Sequence, residues 1–425
     1  MSGGARTAPG SAFHSFIERS RRSGVLVVQP RMGFGTPERM RAGLVATRQA
    51  DATTVGTVTL DSFTRMGDFA AARRALREGR ELNGYPIVTL GPDVTQKMLA
   101  GIRDSDFPVQ VRHGSPAPAE IFSALMAAGL DATEGGPVSY CLPYSRTPVS
   151  QSVRAWREAS RRLAGLREAG GVPHLETFGG CMLGQLCPPS LLIAITVLEG
   201  MFFAQQGITS VSLSYAQQTH PGQDEEAVWA LRAIAADLLP AVTWHVVIYA
   251  YMGLYPRTRP GALALLSAAA RLARRTGAAR LIVKTAAESS QIPSAEDNVL
   301  ALEVAARTAG RVRPAPGPPV PTGVEAEARA IIDRVRDLDD DLGRALTSAF
   351  ARGYLDVPYC LHPDNAGRAR SYLDDDGRLA WAATGALPIR RTAVRSAAGG
   401  LTSAGLLRAL SYMRDRYDSG VPAHA

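Results

Sequence analysis

Lysine is nearly absent from this chain, since only Lys97 and Lys284 among its 47 basic residues are lysines. Ordinary basic positions are therefore almost always Arg, and a lysine that persists is a candidate for a specific role. Lys97 lies in a polar helical pattern, PDVTQKMLAGIRD, and is predicted to be exposed. Lys284 ends the apolar run ARLIVKT, where a compact ammonium suits a tight pocket that a planar guanidinium would not fit.

Cysteine and long apolar runs are also scarce, and both absences narrow the class of protein. The 4 cysteines show no CxxC pair or other metal-ligand spacing, and they do not describe a disulfide scaffold. The longest apolar stretch, Leu191 to Gln205, is interrupted by Glu199 and is too short to span a bilayer. The N-terminal segment is small, polar and basic, without the pattern of a secretory signal. We therefore expect a cytoplasmic protein with no metal site and no membrane span.

Basic residues outnumber acidic residues, which gives the chain a formal net charge of +8. Such a balance can indicate nucleic-acid binding, but the arginines are spread along helical patterns such as VRAWREASRRLAGLREAG and alternate there with glutamates. This arrangement is typical of a solvated surface, so we expect no nucleic-acid partner.

Apolar runs rich in Val, Ile and Thr alternate with segments of helical spacing, which is typical of βα units and a parallel sheet. These runs lie near residues 24–30, 54–61, 85–90, 108–112, 137–142, 174–178, 210–216, 242–249 and 279–285. A barrel needs only eight strands in roughly 250 residues, so one of these candidates is surplus. No GxGxxG or P-loop pattern follows a strand, which disfavours a doubly wound sheet. We predict an α/β fold, a (β/α)8 TIM barrel with a small C-terminal α+β extension.

The same pattern predicts four segments along the chain. Residues 1–23 are interpreted as a leader or first helix, and residues 24–312 as the catalytic barrel. The proline-rich stretch 313–323 cannot continue a helix and is predicted to be a linker. Residues 324–425 are predicted to form a capping or dimerisation region, helical at first and with a hairpin at SYLDDDGRLAW.

Three arginines each follow a short apolar run: Arg31 after GVLVVQP, Arg65 after TVGTVTLDSFT and Arg112 after FPVQV. Each one alone could form a salt bridge at a strand end. In a barrel, however, residues just past the carboxyl ends of the strands line the active-site mouth. A guanidinium grips a carboxylate through two charge-assisted hydrogen bonds and stays charged. The trio therefore indicates a site for a small dicarboxylate.

Further polar residues follow the predicted strands. His113 comes directly after Arg112, and the segment ATEGGPVSYCLPYS supplies Glu134, Tyr140 and Tyr144. The carboxylate could balance the arginines or hold a substrate ammonium, and the phenols could donate hydrogen bonds. Alternatively, Tyr140 lies in the core, Glu134 lies on the surface and His113 has a structural role.

The segment LIVKTAAESSQIP places Lys284, Glu288 and Ile292 at four-residue steps, which share a face if the strand leads into a helix. The two charged residues form either a simple ion pair or a polar pair that binds hydroxyl groups, such as those of a ribose.

Seven stretches of the chain together resemble the epsilon (large, catalytic) subunit of glutamate mutase, also called methylaspartate mutase. They are QPRMGFGTPERMRAGL, TVGTVTLDSFTRMGD, LNGYPIVT, VQVRHGSP, YCLPYS, IVKTAAESSQIP and ARGYLDVPY. The resemblance implies an adenosylcobalamin-dependent isomerase that interconverts L-glutamate and (2S,3S)-3-methylaspartate by a radical mechanism. One alternative is a degenerate relative that only binds a dicarboxylate or docks to a partner. Another is a cobalamin-independent lyase or epimerase.

The resemblance also implies roles for individual residues. Those that match the family's substrate contacts are Arg31, Arg65, Arg112, His113, Glu134, Tyr140 and Tyr144. Those that match its cofactor contacts are Gly33, Thr89, Pro143, Tyr255, Lys284, Glu288 and Ile292. Thr89 stands where the family usually has Asn, and Tyr255 stands where it has Phe. Both changes bear on cofactor affinity and fine substrate preference.

The sequence contains no DxHxxG motif, whose histidine would ligate the cobalt. The resemblance therefore implies a small cobalamin-binding (sigma) subunit that carries this motif, and a homodimer of the large subunit within a heterotetramer.

Overall fold

Eight parallel strands form a ring in the computed structural model of this chain, which describes residues 12–182, 186–289, 291–389 and 402–420. The strands are β1 Val27–Gln29, β2 Gly56–Thr59, β3 Val109–Arg112, β4 Ala132–Gly135, β5 His174–Thr177, β6 Ser210–Ala216, β7 Thr243–Tyr249 and β8 Arg280–Ile282. Neighbours in sequence pair from β2 to β8, and β8 pairs with β1. A parallel bridge between Val28 and Thr54 joins β1 to the segment before β2. The predicted (β/α)8 barrel is confirmed.

Helices connect the strands and cover the outside of the barrel. They are α1 Ala12–Arg22, α2 Pro37–Gln49, α3 Ser62–Met66, α4 Phe69–Arg77, α5 Ile87–Leu90, α6 Pro92–Leu99, α7 Ala119–Ala127, α8 Val149–Ala164, α9 Pro189–Gln205, α10 Pro221–Leu238, α11 Arg259–Thr276, α12 Ala295–Gly310, α13 Val324–Arg336, α14 Leu342–Arg352 and α15 Ser403–Asp418. Short 3-10 helices lie at Gly165–Ala169, Gly179–Cys181 and Ala286–Ser289. Among the helices that the structure describes, none is long and apolar enough to cross a membrane.

Two of the apolar runs predicted as strands are not strands. In the run at 85–90, Tyr85 makes one parallel bridge with Leu60, but Ile87 N, the next donor on that side, turns back to Tyr85 O at 3.1 Å, and helix α5 follows Pro86. The run at 137–142 forms turns, because β4 lies earlier and Gly135 leaves that strand with a φ of 128°. The sequence prediction was wrong at both places.

The N-terminal end of the barrel is covered by α1. The Phe13 ring lies 4.9 Å from the His174 ring, measured between centroids, and the Arg280 guanidinium lies 5.0 Å from the Phe13 centroid. His174 and Arg280 are the first residues of β5 and β8. The segment interpreted as a leader or first helix thus contains a helix that packs on the barrel floor.

The barrel interior is charged. Arg280 and Glu176 form an ion pair in which both side chains are fully buried. Desolvating two charges is costly unless their remaining donors and acceptors are satisfied. Here Gln29 accepts a hydrogen bond from Arg280, Gln110 donates one to Glu176, and Ser212 contacts both members of the pair.

The C-terminal extension contains α13, α14 and α15 and the antiparallel hairpin of β9 Arg370–Leu373 and β10 Leu379–Ala383, at the position predicted for a hairpin. The segment before the hairpin also contacts the loop after β4. His362 Nε2 donates to Thr147 O at 3.0 Å, and Val149 N donates to Asp364 Oδ2 at 2.7 Å. The extension therefore supports the loop that carries Tyr140 and Tyr144. Within the predicted terminal segments, residues 1–11, 390–401 and 421–425 lie outside the described residues.

Candidate active site

A cavity of about 460 Å³ lies at the carboxyl ends of the strands, where barrel enzymes place their active sites. Residues singled out from the sequence that line it are Arg31, Arg65, Arg112, His113, Glu134, Tyr140, Tyr144 and Glu288. They come from the ends of β1, β2, β3 and β4 and from the connection after β8. The fold therefore brings together residues spread over more than half of the chain.

Arg112, the last residue of β3, is the most buried of the three arginines and is only 4% exposed. Its Nε donates to Glu134 Oε2 at 2.7 Å, and its Nη2 donates to Tyr249 Oη at 3.3 Å. Burial alone would lower the pKa of Arg112, but the adjacent Glu134 carboxylate raises it well above its ordinary value. Arg112 is therefore a fixed cation in the cavity wall.

Arg31 and Arg65 are held more loosely. Arg31 Nη1 lies 3.6 Å from Glu288 Oε2, and its side chain is 30% exposed. Arg65 belongs to α3, where its Nε donates to Asp61 O at 3.3 Å. Among the described residues no carboxylate pairs with Arg65. Both guanidinium groups can therefore turn to an incoming anion without breaking a tight ion pair.

Glu134, near the end of β4, is 1% exposed. Its carboxylate accepts hydrogen bonds from Arg112 Nε, Tyr140 Oη and Tyr249 Oη. Burial, together with Glu134, raises the pKa of Tyr140 well above its ordinary value. Tyr140 therefore remains a protonated donor, and the alternative that placed Glu134 on the surface was wrong.

His113 lies on the cavity wall and also packs in the core. Its Nδ1 accepts from Ser115 N at 3.2 Å, and its ring stacks on Trp156 at a centroid distance of 5.7 Å. Burial, reinforced by Arg65, lowers the pKa of His113 to about 3. The ring is therefore neutral, and its buried Nε2 has no hydrogen-bond partner within the described part of the chain.

Lys284 and Glu288 lie beside the arginines but do not form the ion pair considered from the sequence. Glu288 faces Arg31 and accepts from Thr285 N at 3.1 Å. Lys284 Nζ lies 4.5 Å from the centroid of the Tyr255 ring. Burial lowers the pKa of Lys284 to about 8, although Glu288 opposes this shift. A half-buried ammonium on an aromatic face is a cation–π contact.

The remaining predicted cofactor contacts do not line the cavity. A Cβ on Gly33 would lie 2.2 Å from Thr59 O, so the backbone approaches β2 too closely for any side chain. Thr89 Oγ1 is buried and has no hydrogen-bond partner among the described residues. Pro143 is half-buried next to Tyr144, and Ile292 is 66% exposed. Their assignment as cofactor contacts stays a prediction.

Tyr249 and Glu176 were not found from the sequence. Tyr249, the last residue of β7, has its hydroxyl between Glu134 and Glu176. The sequence held one signal for Glu176. It lies two positions after His174 in an apolar run, and alternate residues of a strand share a face, so the two polar side chains are predicted to point to the same side of the strand. Without the strand partners, however, that face could not be assigned to the barrel interior.

Comparison with known proteins shows a match over almost the whole chain. Residues 9–405 match the family described as Methylaspartate mutase E chain (MutE). A protein of Halobacterium salinarum named glutamate mutase epsilon subunit is 34% identical, over 76% of this chain and 69% of its own length. The proteins of the same name from Escherichia coli O157:H7 and Treponema denticola are 28% and 29% identical. Those matches cover 89% and 90% of this chain, and 81% and 82% of the relatives.

Proposed function

This chain belongs to the methylaspartate mutase E chain family, and we propose that it is the catalytic subunit of an enzyme that interconverts L-glutamate and (2S,3S)-3-methylaspartate. The observation that carries the proposal is the set of three arginines and one buried carboxylate on the walls of a single cavity. Both amino acids present two carboxylates and one ammonium, which is the complementary set of charges.

The arginines differ in how they would bind these carboxylates. Within the part of the chain that the structure describes, neither Arg31 nor Arg65 has a tight ionic partner, so each can present a guanidinium fork to a carboxylate. Arg112 is already held by Glu134 through its Nε and by Tyr249 through one hydrogen of its Nη2, which leaves Nη1 and the second Nη2 hydrogen for the ligand. Glu134 then lies beside the bound dicarboxylate as the acceptor for its ammonium. Two carboxylates fixed in this way would stay in place while the carbon skeleton between them rearranges.

The wall that carries Glu288 fits adenosylcobalamin. Lys284 and Glu288 offer a donor and an acceptor for ribose hydroxyls, and the Thr89 hydroxyl is buried without a partner among the described residues. The residues that would hold the group are Gly33, Thr89, Pro143, Tyr255, Lys284, Glu288 and Ile292. When bound, this cofactor supplies an organic radical that removes a hydrogen atom from the substrate.

The rim of the cavity has the character of a binding surface for a partner subunit. Two large side chains that line the cavity are exposed, Met66 at 82% and Tyr144 at 53%, and Ile292, next to the lining residue Pro293, is 66% exposed. Exposed apolar groups clustered around a site commonly mark an interaction surface. We assign to this face the small cobalamin-binding subunit with a DxHxxG motif, within a heterotetramer that contains two copies of this chain.

The test is turnover of isotopically labelled L-glutamate by the full chain mixed with the small subunit and adenosylcobalamin. Nuclear magnetic resonance should detect 3-methylaspartate as the product. We expect Arg112→Lys to lower kcat/KM by about 100-fold or more, because a point charge replaces a fork that also holds Glu134. The exposed Arg103, whose guanidinium donates to Gly129 O, provides the control Arg103→Lys, for which we expect unchanged turnover.

Three other results would contradict the proposal in different ways. Unchanged turnover by the Arg112→Lys variant would refute the carboxylate clamp. Tight L-glutamate binding with no product and no loss of the cobalt–carbon absorbance would indicate a dicarboxylate-binding relative. Product formation without cobalamin would indicate a lyase or epimerase.

A further inference from the structure

The loop between β7 and α11 supplies the contacts of the Lys284 ammonium. Lys284 Nζ lies 4.5 Å from the centroid of the Tyr255 ring and donates to Gly253 O at 3.5 Å. Both groups belong to residues 250–258, the β7 loop. The position of this loop therefore determines how deeply the ammonium is buried.

The last turn of α15 holds the β7 loop from a distant part of the chain. Asp418 Oδ1 accepts from Thr258 N at 2.9 Å and from Thr258 Oγ1 at 2.7 Å, and Oδ2 accepts from Arg257 N at 2.9 Å. Burial alone would raise the pKa of Asp418, but these hydrogen bonds lower it. Pro256 connects the bound residues to Tyr255, and its ring fixes φ at that position. Little freedom remains between the carboxylate contact and the aromatic ring.

Packing also holds α15 against the β7 loop. Tyr417 and Met413 of α15 are buried in one apolar cluster with Tyr255. Gly261, in the first turn of α11, allows this close approach. A Cβ on Gly261 would lie 2.8 Å from Tyr417 O and 3.0 Å from Asp418 Oδ1. Steric fit and hydrogen bonds therefore seat α15 at the same place.

We propose that α15 fixes the β7 loop and that Asp418 is a positioning residue, which keeps the Tyr255 ring and the Gly253 carbonyl against the Lys284 ammonium. The inference rests on the proposed function, because it takes Lys284 as part of the wall that holds the adenosyl group. It gives the C-terminal extension a second contact with the site, beside its support of the loop after β4.

A charge effect of Asp418 and a positioning effect would change the pKa of Lys284 in opposite directions. The charged groups that act on the ammonium are Glu288 and Arg31, and Asp418 lies outside the set of residues that line the cavity. Removal of a negative charge would lower the pKa of a lysine. A displaced loop would instead admit water to the ammonium and raise this pKa towards 10.5, because burial is what lowers it to about 8.

The experiment measures the pKa of Lys284 by nuclear magnetic resonance in the full chain, labelled with carbon-13 at the lysine Cε. The chain has only two lysines, so Lys97→Arg identifies the signal of Lys284. We expect Asp418→Ala to raise the pKa of Lys284 by about 1 or more. Asp415→Ala is the matched control, since Asp415 lies in the same helix and accepts from its neighbour Arg414. The pKa of Lys284 should be unchanged in that control.

Gly261→Ala tests the same contact without removing a charge, and it replaces Asp418→Ala if that variant does not fold. The added methyl group should displace the last turn of α15, so the pKa of Lys284 should again rise. Its control is Gly310→Ala at the end of α12, where a Cβ would meet no atom of the described residues within 4 Å. An unchanged or lower pKa of Lys284 in either folded variant would overturn the inference.

The same variant has an expected effect on the complete system. With the small subunit present, Asp418→Ala should raise the adenosylcobalamin concentration for half-maximal turnover about tenfold and leave the KM for L-glutamate unchanged. An equal rise in both would overturn the inference and leave the mutase proposal standing. Absence of turnover in wild type, together with the expected pKa changes, would overturn the mutase proposal and leave the role of Asp418 at Lys284 intact.

Discussion

Lys284 shows how one residue of the site can lower the stability of the whole protein. Burial lowers its pKa from 10.5 to about 8, Glu288 opposes the shift and Arg31 reinforces it. The folded protein therefore binds fewer protons than the unfolded chain between these two pH values, and stability rises with pH across that window. Below about pH 8 the unfavourable contribution is fully present, because both states are then protonated. A lysine kept under this disadvantage fits a functional role.

Lys284→Met tests this reading, since it removes the charge and keeps most of the stem. At pH 7 we expect K284M to need more urea for unfolding than wild type, and we expect the difference to shrink as the pH approaches 10. Equilibrium urea unfolding followed by tryptophan fluorescence measures both. The exposed Lys97 supplies the control Lys97→Met, in which no such pH-dependent difference should develop. A K284M protein less stable than wild type at pH 7 would mean that Lys284 stabilises the fold.

At the scale of single residues, the sequence predicted which arginines line the cavity better than it predicted the side chains that contact them. Arg31, Arg65 and Arg112 could be grouped because the carboxyl ends of parallel strands meet at one edge, whatever the register. Tyr249 could not be grouped with Glu134, because 115 residues separate them and the contact depends on which barrel positions face each other.

At the scale of elements, Glu199 of α9 fixes the connections after β4 and β5. One carboxylate oxygen accepts from Val138 N and Ser139 N, and the other accepts from Ser139 Oγ and Gly179 N. Burial raises the pKa of Glu199 to about 7, although these hydrogen bonds oppose the shift. The turn that carries Tyr140 is therefore held from a helix on the outside of the barrel.

Glu199→Gln should disturb both the fold and the site. The amide places an NH2 group against N–H donors, so we expect a loss of about 1–3 kcal/mol in the free energy of unfolding. We also expect weaker L-glutamate binding, because Tyr140 would shift away from Glu134. Urea unfolding and calorimetry measure the two effects.

The matched control for that variant is Glu226→Gln. Glu226 is also a buried carboxylate, and it accepts from Thr322 N, Thr322 Oγ1 and Val324 N just before and at the start of α13. It lies outside the set of residues that line the cavity. A similar loss of stability with normal L-glutamate binding is expected. If E199Q also binds L-glutamate normally, Glu199 has no influence on the site.

The two runs that were wrongly predicted to be strands also have explanations at the scale of elements. The apolar run at 137–142 has the composition of a strand, but the N–H groups of Val138 and Ser139 donate to Glu199, about 60 residues later, and the next three N–H groups donate to carbonyls of the turn itself. The run at 85–90 begins to pair, at Tyr85, and stops at Pro86. The proline could have been weighed more heavily from the sequence, whereas the contact with Glu199 could not have been foreseen.

At the scale of the whole molecule, the barrel was predictable because alternating strand and helix patterns of sufficient number leave few other arrangements. The polar interior was not predictable, since Arg280 and Glu176 occupy strand positions that normally hold apolar side chains. The floor formed by α1 and the support that the extension gives to the loop after β4 depend on contacts between distant parts of the chain. They became visible only in the folded structure.

The most direct measurement is a crystal structure of the full chain with L-glutamate bound. The account predicts one ligand in the cavity at the carboxyl ends of the strands, with each carboxylate hydrogen-bonded to at least one of Arg31, Arg65 and Arg112. Its ammonium should contact Glu134. A ligand bound elsewhere, or an amino acid in the cavity whose carboxylates touch none of the three arginines, would contradict the account.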